Sequence, residues 1–97
     1  DPPKVGNPAL LGVGIEVEGE RPELVEPLRR WLRREPAVQQ AYYVTGSADY
    51  VLLVTAPDIG GFDEFMTRMM IENPNVRRFT TNVVLTPIKR GLFVPIG

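Results

Sequence analysis

The five residues Thr45-Gly46-Ser47-Ala48-Asp49 hold the densest chemistry in this chain. A glycine-led turn can present successive backbone N–H groups to an anion, and a nearby carboxylate can pair an ammonium through charge-assisted hydrogen bonds. The N–H groups of Gly46 to Asp49, with the Asp49 carboxylate, can therefore hold both ends of an α-amino acid. Thr80, Thr81 and Asn82 can add hydroxyl and amide groups from a later strand. A plain hairpin also needs Gly and Asp for its turn geometry. Both readings stay open at this level.

Catalysis has little to work with. The chain holds no His and no Cys, which removes imidazole bases, thiolate nucleophiles and most zinc or copper sites. Glu16, Glu18 and Glu20 alternate along a strand and its exit, so they read as a solvated face and not as a calcium or magnesium site. Ser47 lacks the second glycine of a nucleophile elbow and any base to activate it. Gly12-Val13-Gly14 fails the dinucleotide fingerprint, because Val17 stands where the third glycine belongs. We expect no catalytic residue, no metal and no cofactor. Arg29, Arg30, Arg33 and Arg34 are interspersed with Glu23, Glu26 and Glu35, the pattern of a solvated helix surface.

The elements that must position the turn are written twice. A shift of 38 residues lays Val13, Ile15 and Val17 on Val51, Leu53 and Thr55. The same shift lays Leu24, Leu28, Trp31 and Leu32 on Phe62, Met66, Met69 and Met70, and Pro36-x-Val38 on Pro74-x-Val76. Each copy reads as strand, helix, strand, and two copies make an α+β, ferredoxin-like βαββαβ sandwich. The expected strands run over 10–18, 38–45, 50–56 and 76–86, the helices over 23–34 and 59–72. Pro22 suits a first helical position and Asp58 an N-cap. Pro27 implies a late start or a kink in the first helix. Residues 1–9, with three prolines and a glycine, read as a hinge or linker remnant, and 10–97 as the folded domain.

Two helices cover only one face of such a sheet. The Tyr50-Val51-Leu52-Leu53-Val54 run is apolar on both faces, and the tail Leu92-Phe93-Val94-Pro95-Ile96 has no place in a two-helix core. A second copy in a two-fold dimer is the simplest cover. Gly12, Gly14, Leu52, Val54, Leu92, Phe93 and Val94 are the expected dimer contacts. The two glycines mark either a tolerated weakness in the strand or a close approach by another backbone.

Composition fits these expectations. At 97 residues, 43% hydrophobic and 24% charged, the chain reads as one soluble domain. A formal charge of −1 gives no long-range pull on nucleic acid. No apolar run is long enough to cross a bilayer, and the lack of cysteine fits a reducing compartment, the cytoplasm. The chain starts at Asp1, so we expect a fragment of something longer.

The stretch Tyr43-Val44-Thr45-Gly46-Ser47-Ala48-Asp49-Tyr50-Val51-Leu52-Leu53 resembles the V-x-G-x-x-D-Y-x-L signature of the Lrp/AsnC (feast/famine) transcription regulators. The resemblance extends to Pro74-x-Val76, the Thr81-Asn82-Val83-Val84-Leu85 strand and the apolar tail, and the opening Asp1-Pro2-Pro3-Lys4-Val5-Gly6 looks like that family's hinge. It implies the C-terminal sensing and oligomerisation module without its N-terminal helix-turn-helix, so DNA would be reached only through that absent domain. It implies a sheet-to-sheet homodimer with an extra C-terminal strand, often assembled into a tetramer of dimers. It also implies an amino-acid effector held between subunits by Tyr43, Thr45, Gly46, Ser47, Ala48, Asp49, Tyr50, Ile59, Thr81, Asn82 and Val83. A stand-alone sensing module and a dimeric α+β-barrel enzyme are the alternatives. The second needs a base or metal that this composition hardly offers.

Overall fold

The computed structural model describes residues 9–19, 21–86, 88 and 89. Alternating apolar residues build β1 (Ala9–Val17), whose odd-numbered side chains from Leu11 to Val17 are buried. Then follow α1 (Pro22–Arg34), β2 (Val38–Tyr43), β3 (Tyr50–Ala56), α2 (Ile59–Glu72) and β4 (Val76–Val83). The described strands form one antiparallel sheet in the order β2-β3-β1-β4. This is the expected α+β ferredoxin-like arrangement.

Helix α1 begins at Pro22, not late: Leu24 and Val25 both donate backbone hydrogen bonds to the Arg21 carbonyl. Pro27 lies inside the helix, sixth of its thirteen residues, where it cannot donate the backbone bond to the Glu23 carbonyl. Its buried stripe is Val25, Leu28, Trp31 and Leu32, while Leu24 is only half-buried. Asp58 caps α2 as expected, its Oδ1 accepting from the Gly61 N–H at 2.7 Å. Phe62, Phe65, Met66 and Met69 form the stripe that packs on the sheet. Trp31 and Glu72 join the helices through a 2.6 Å hydrogen bond, and Arg68 pairs both oxygens of Glu35.

The 38-residue repeat holds for the helices and for β2 against β4, where Ala41 and Phe79 share the helix side, and fails for β1 against β3. Leu28 and Met66 are both buried, as are Trp31 and Met69. In the strands, Leu11, Val13 and Ile15 share the helix-covered side with Tyr50, Leu52 and Val54, through the pairs Leu11↔Val54, Val13↔Leu52 and Ile15↔Tyr50. The phase of β1 against β3 therefore follows a 39-residue shift, and a one-residue slip exchanges the two faces. The connection from strand to helix is shorter in the second copy, at 57–58 against 18–21, which absorbs the difference. The expected dimer contacts Leu52 and Val54 are corrected accordingly: at 1% and 0% exposure they belong to this chain's own core. On the other face β3 presents Val51, Leu53 and Thr55, all half-buried. Leu92, Phe93 and Val94, and most of the 1–9 segment, lie outside the described residues.

Candidate functional site

The hairpin between β2 and β3 is closed by Val44 N–H donating to the Asp49 carbonyl at 2.9 Å. Gly46 has φ +132°, a backbone conformation that L side chains rarely adopt, so the turn requires glycine there. Two further bonds fasten the loop to β1. Asp49 N–H donates to the Ile15 carbonyl at 2.8 Å, and Asp49 Oδ2 accepts from the Val17 N–H at 2.9 Å. The second falls where the β1–β4 register shifts between Glu16 and Val17. An irregular ladder leaves an amide to be satisfied by something else, and Asp49 supplies the acceptor.

This changes the expected cradle. The Asp49 N–H is taken by Ile15, so among the four turn amides only those of Gly46, Ser47 and Ala48 remain as candidates for an anion. One Asp49 oxygen is already engaged with backbone. Gly14 explains part of the glycine pattern: a Cβ there would lie 3.3 Å from Ala48 Cβ and 3.1 Å from Thr80 Oγ1. The close neighbours are this chain's own hairpin and β4. At Gly12 a Cβ would meet only the Asn82 carbonyl oxygen, at 4.0 Å, so that position faces open space.

The expected effector residues fall into three groups. Ala48 sits over Gly14, on the sheet side that the helices leave uncovered, Asp49 bonds the β1 backbone at Ile15 and Val17, and Asn82 shares the uncovered side through its pairing with Gly12. Tyr43 and Tyr50 pair on the helix side, with ring centroids 5.2 Å apart. Tyr50 is buried, and its hydroxyl accepts from Arg29 Nε at 3.0 Å. Thr81 and Val83 pair with the buried Val13 and Leu11, so they too lie on the helix side, yet both are exposed on the edge strand. Ile59 opens α2 beyond Ala56, which pairs with Ala9 at the far end of β1 from the hairpin. Between Ile15, beneath the hairpin, and Leu11, beside Val83, the strand advances about 13 Å. These residues do not form one pocket within a single chain.

Arg29, which the sequence pattern assigns to solvated helix surface, has a tertiary role. It stacks over the Tyr43 ring at 4.8 Å and over Tyr50 at 5.7 Å, and the Tyr50 hydrogen bond holds its guanidinium above its ordinary value. The only sequence signal was its place beside the apolar stripe, next to Leu28. No cluster of three or more His, Cys, Asp or Glu able to hold a metal occurs among the described residues. None of their helices is long and apolar enough to cross a membrane.

Comparison with known proteins gives the class. The Lrp/AsnC ligand binding domain model matches residues 11–92. The chain is 38% identical over 95 residues to the HTH-type transcriptional regulator y4tD of Sinorhizobium fredii, covering 98% of this chain and 56% of that protein. An AsnC family transcriptional regulator from Agrobacterium tumefaciens superposes with a TM-score of 0.82 at 27% identity, over 98% of this chain and 61% of that one. The regulator NMB0573 from Neisseria meningitidis, solved in complex with L-Met, superposes equally well at 21% identity, with the same coverage. This chain belongs to the Lrp/AsnC family of transcription regulators, and it carries the ligand-binding domain. It spans little more than half the length of curated regulators it matches, 56% of y4tD and 59% of AzlB from Bacillus subtilis.

Proposed function

We propose that this domain binds a small amino-acid effector between subunits and assembles through its uncovered sheet face, within a regulator that reaches DNA through a separate helix-turn-helix. The observation that carries this reading is the division of the expected effector residues between the two ends and two faces of one protomer. A single pocket built from them needs a second copy. The uncovered face suits such a contact: Val51 and Leu53 are half-buried there, beside Gly12, which admits close approach. The Gly46, Ser47 and Ala48 amides then serve the effector carboxylate. The remaining Asp49 oxygen and Asn82 are the polar groups nearest for the ammonium. The tail residues Leu92, Phe93 and Val94 belong to the same interface in this reading, and a tetramer of dimers is the further assembly.

A neighbour of the same fold was solved with L-methionine, which supports amino acids as the class to screen. Effector binding that favours one assembly over another needs a coupling of about 1–3 kcal/mol to change DNA occupancy by one or two decades. The test is a thermal-shift scan of the common amino acids. An effector at 100 times its dissociation constant adds about 2.7 kcal/mol of stability. A scan in which no amino acid moves the melting temperature of the assembled protein would remove the sensing role.

A further inference from the structure

Beside the Arg29 platform lies a groove that shares Tyr43 and Tyr50 with the expected effector residues but whose two arginines the effector reading does not use. It runs between α1 and the edge strand β2, holds about 410 Å³, and is lined by Arg29, Leu32, Arg33, Val38, Gln39, Gln40, Ala41 and the three tyrosines. That size is within the range of small-ligand sites. No carboxylate lines it. Arg29 and Arg33 stand one helical turn apart on α1, so both guanidinium groups serve the same stretch of wall.

Arg29 is unusually well prepared for a ligand. Its Nε is held by the Tyr50 hydroxyl and its plane rests on Tyr43, so little side-chain freedom is left to lose on binding. Neither Arg29 nor Arg33 takes part in the ion pairs formed among the described residues. The Arg29 Nη groups accordingly have no carboxylate acceptor there, and Glu26, one turn earlier on α1, is the acidic group that acts on Arg29 from outside the groove. Arg68 offers the contrast: it is committed to both oxygens of Glu35. Two guanidiniums with free forks recognise planar oxyanions in particular. Leu32, Val38, Ala41 and the rings of Tyr43 and Tyr50 give an apolar surface for the rest of the ligand.

We propose that this α1–β2 groove is a second ligand site, taking a small organic acid whose carboxylate or phosphate sits on Arg29 and Arg33 while its apolar body lies along Leu32, Val38 and Ala41. The site stands on the helix side, away from the loop over Gly14, so it does not depend on the effector reading.

The test is an NMR titration of the assembled protein, following the backbone amides throughout, those of Val38–Tyr43 in particular, and in the wild type also the Arg29 Nε–H resonance, with benzoate, inorganic phosphate and sodium chloride at matched ionic strength. A saturable shift with benzoate, absent with chloride, supports the site and identifies a carboxylate ligand. Saturation by phosphate alone supports the site and identifies a phosphate ligand. Arg29→Ala should weaken binding by at least about tenfold. Because Arg29→Ala also removes the Tyr50 bond, the exposed Arg33→Glu is the second variant, expected to weaken binding comparably with the fold intact. Shifts that never saturate, that chloride reproduces, that centre on residues 45–49, or that survive Arg33→Glu would each overturn the proposal.

Discussion

Exchanging Asp49 for alanine should destabilise the domain far more than exchanging it for asparagine. The carboxylate accepts the Val17 N–H at 2.9 Å, at the point where the β1–β4 pairing slips. Alanine leaves that amide without its partner. A hydrogen bond to a charged acceptor contributes about 1.5–3 kcal/mol, and an unmet buried amide costs about 1–3 kcal/mol. Asp49 is half-buried, so water recovers part of the loss, and we expect about 1–2 kcal/mol for Asp49→Ala. Asparagine keeps a side-chain oxygen in reach and gives up only the charge, for a loss under about 1 kcal/mol. Urea unfolding of both variants at one fixed protomer concentration measures the difference. In a domain of this size, 1 kcal/mol moves the melting temperature by about 4–8 °C. Equal losses for the two variants, or no loss for alanine at an unchanged slope, would refute the assignment of Asp49 to the Val17 amide. The same pair bears on the effector: an amino-acid response that survives Asp49→Asn means Asp49 positions the loop and does not neutralise an ammonium.

Leu52→Ala should cost about 2–5 kcal/mol in the same unfolding assay, because Leu52 is fully enclosed beneath the helices; a loss below 1 kcal/mol would return it to the surface. Arg68 holds the Glu35 carboxyl below the usual carboxylate range by hydrogen bonding to it. A depressed folded value means the pair stabilises the protein at neutral pH and loses that contribution as pH falls through the folded value. Glu35→Gln should therefore cost about 1 kcal/mol at neutral pH and nothing in strong acid, with Arg68 half exposed and partly screened. Stability curves of wild type and variant that run parallel across the acid range would contradict this.

The elements were legible because each carries its own local signal. The continuous apolar run and the turn before it located β3 at Tyr50–Ala56, and Asp58 marked the start of α2 through a bond three residues away. Which face of β3 turns inward was not legible from the repeat. The helices superpose at 38 residues and β1 and β3 at 39, so a pattern anchored on Leu28 and Met66 points Leu52 and Val54 outward. The physical cue against it was present in Tyr50, Leu52 and Val54, which match the larger buried set opposite Leu11, Val13 and Ile15. The Gly46–Asp49 turn was legible as a hairpin, but the capture of Asp49 by Ile15 and Val17 joins residues 32 or more positions apart, which no local pattern encodes. The Arg29–Tyr43–Tyr50 stack is likewise tertiary: two of its members face each other across the hairpin, and the third arrives from α1.

Sedimentation of the wild-type chain beside Leu53→Asp, at low micromolar concentration, tests the role of the uncovered face most directly. Leu53 lies on that face opposite Gly12 and takes no part in the core, so its replacement should leave the fold intact. We predict that the wild type sediments at twice its 10.9 kDa chain mass or a multiple of that, and that Leu53→Asp sediments as a folded monomer. A wild type that stays monomeric, or a Leu53→Asp variant that assembles as tightly as the wild type, would contradict assembly through this face.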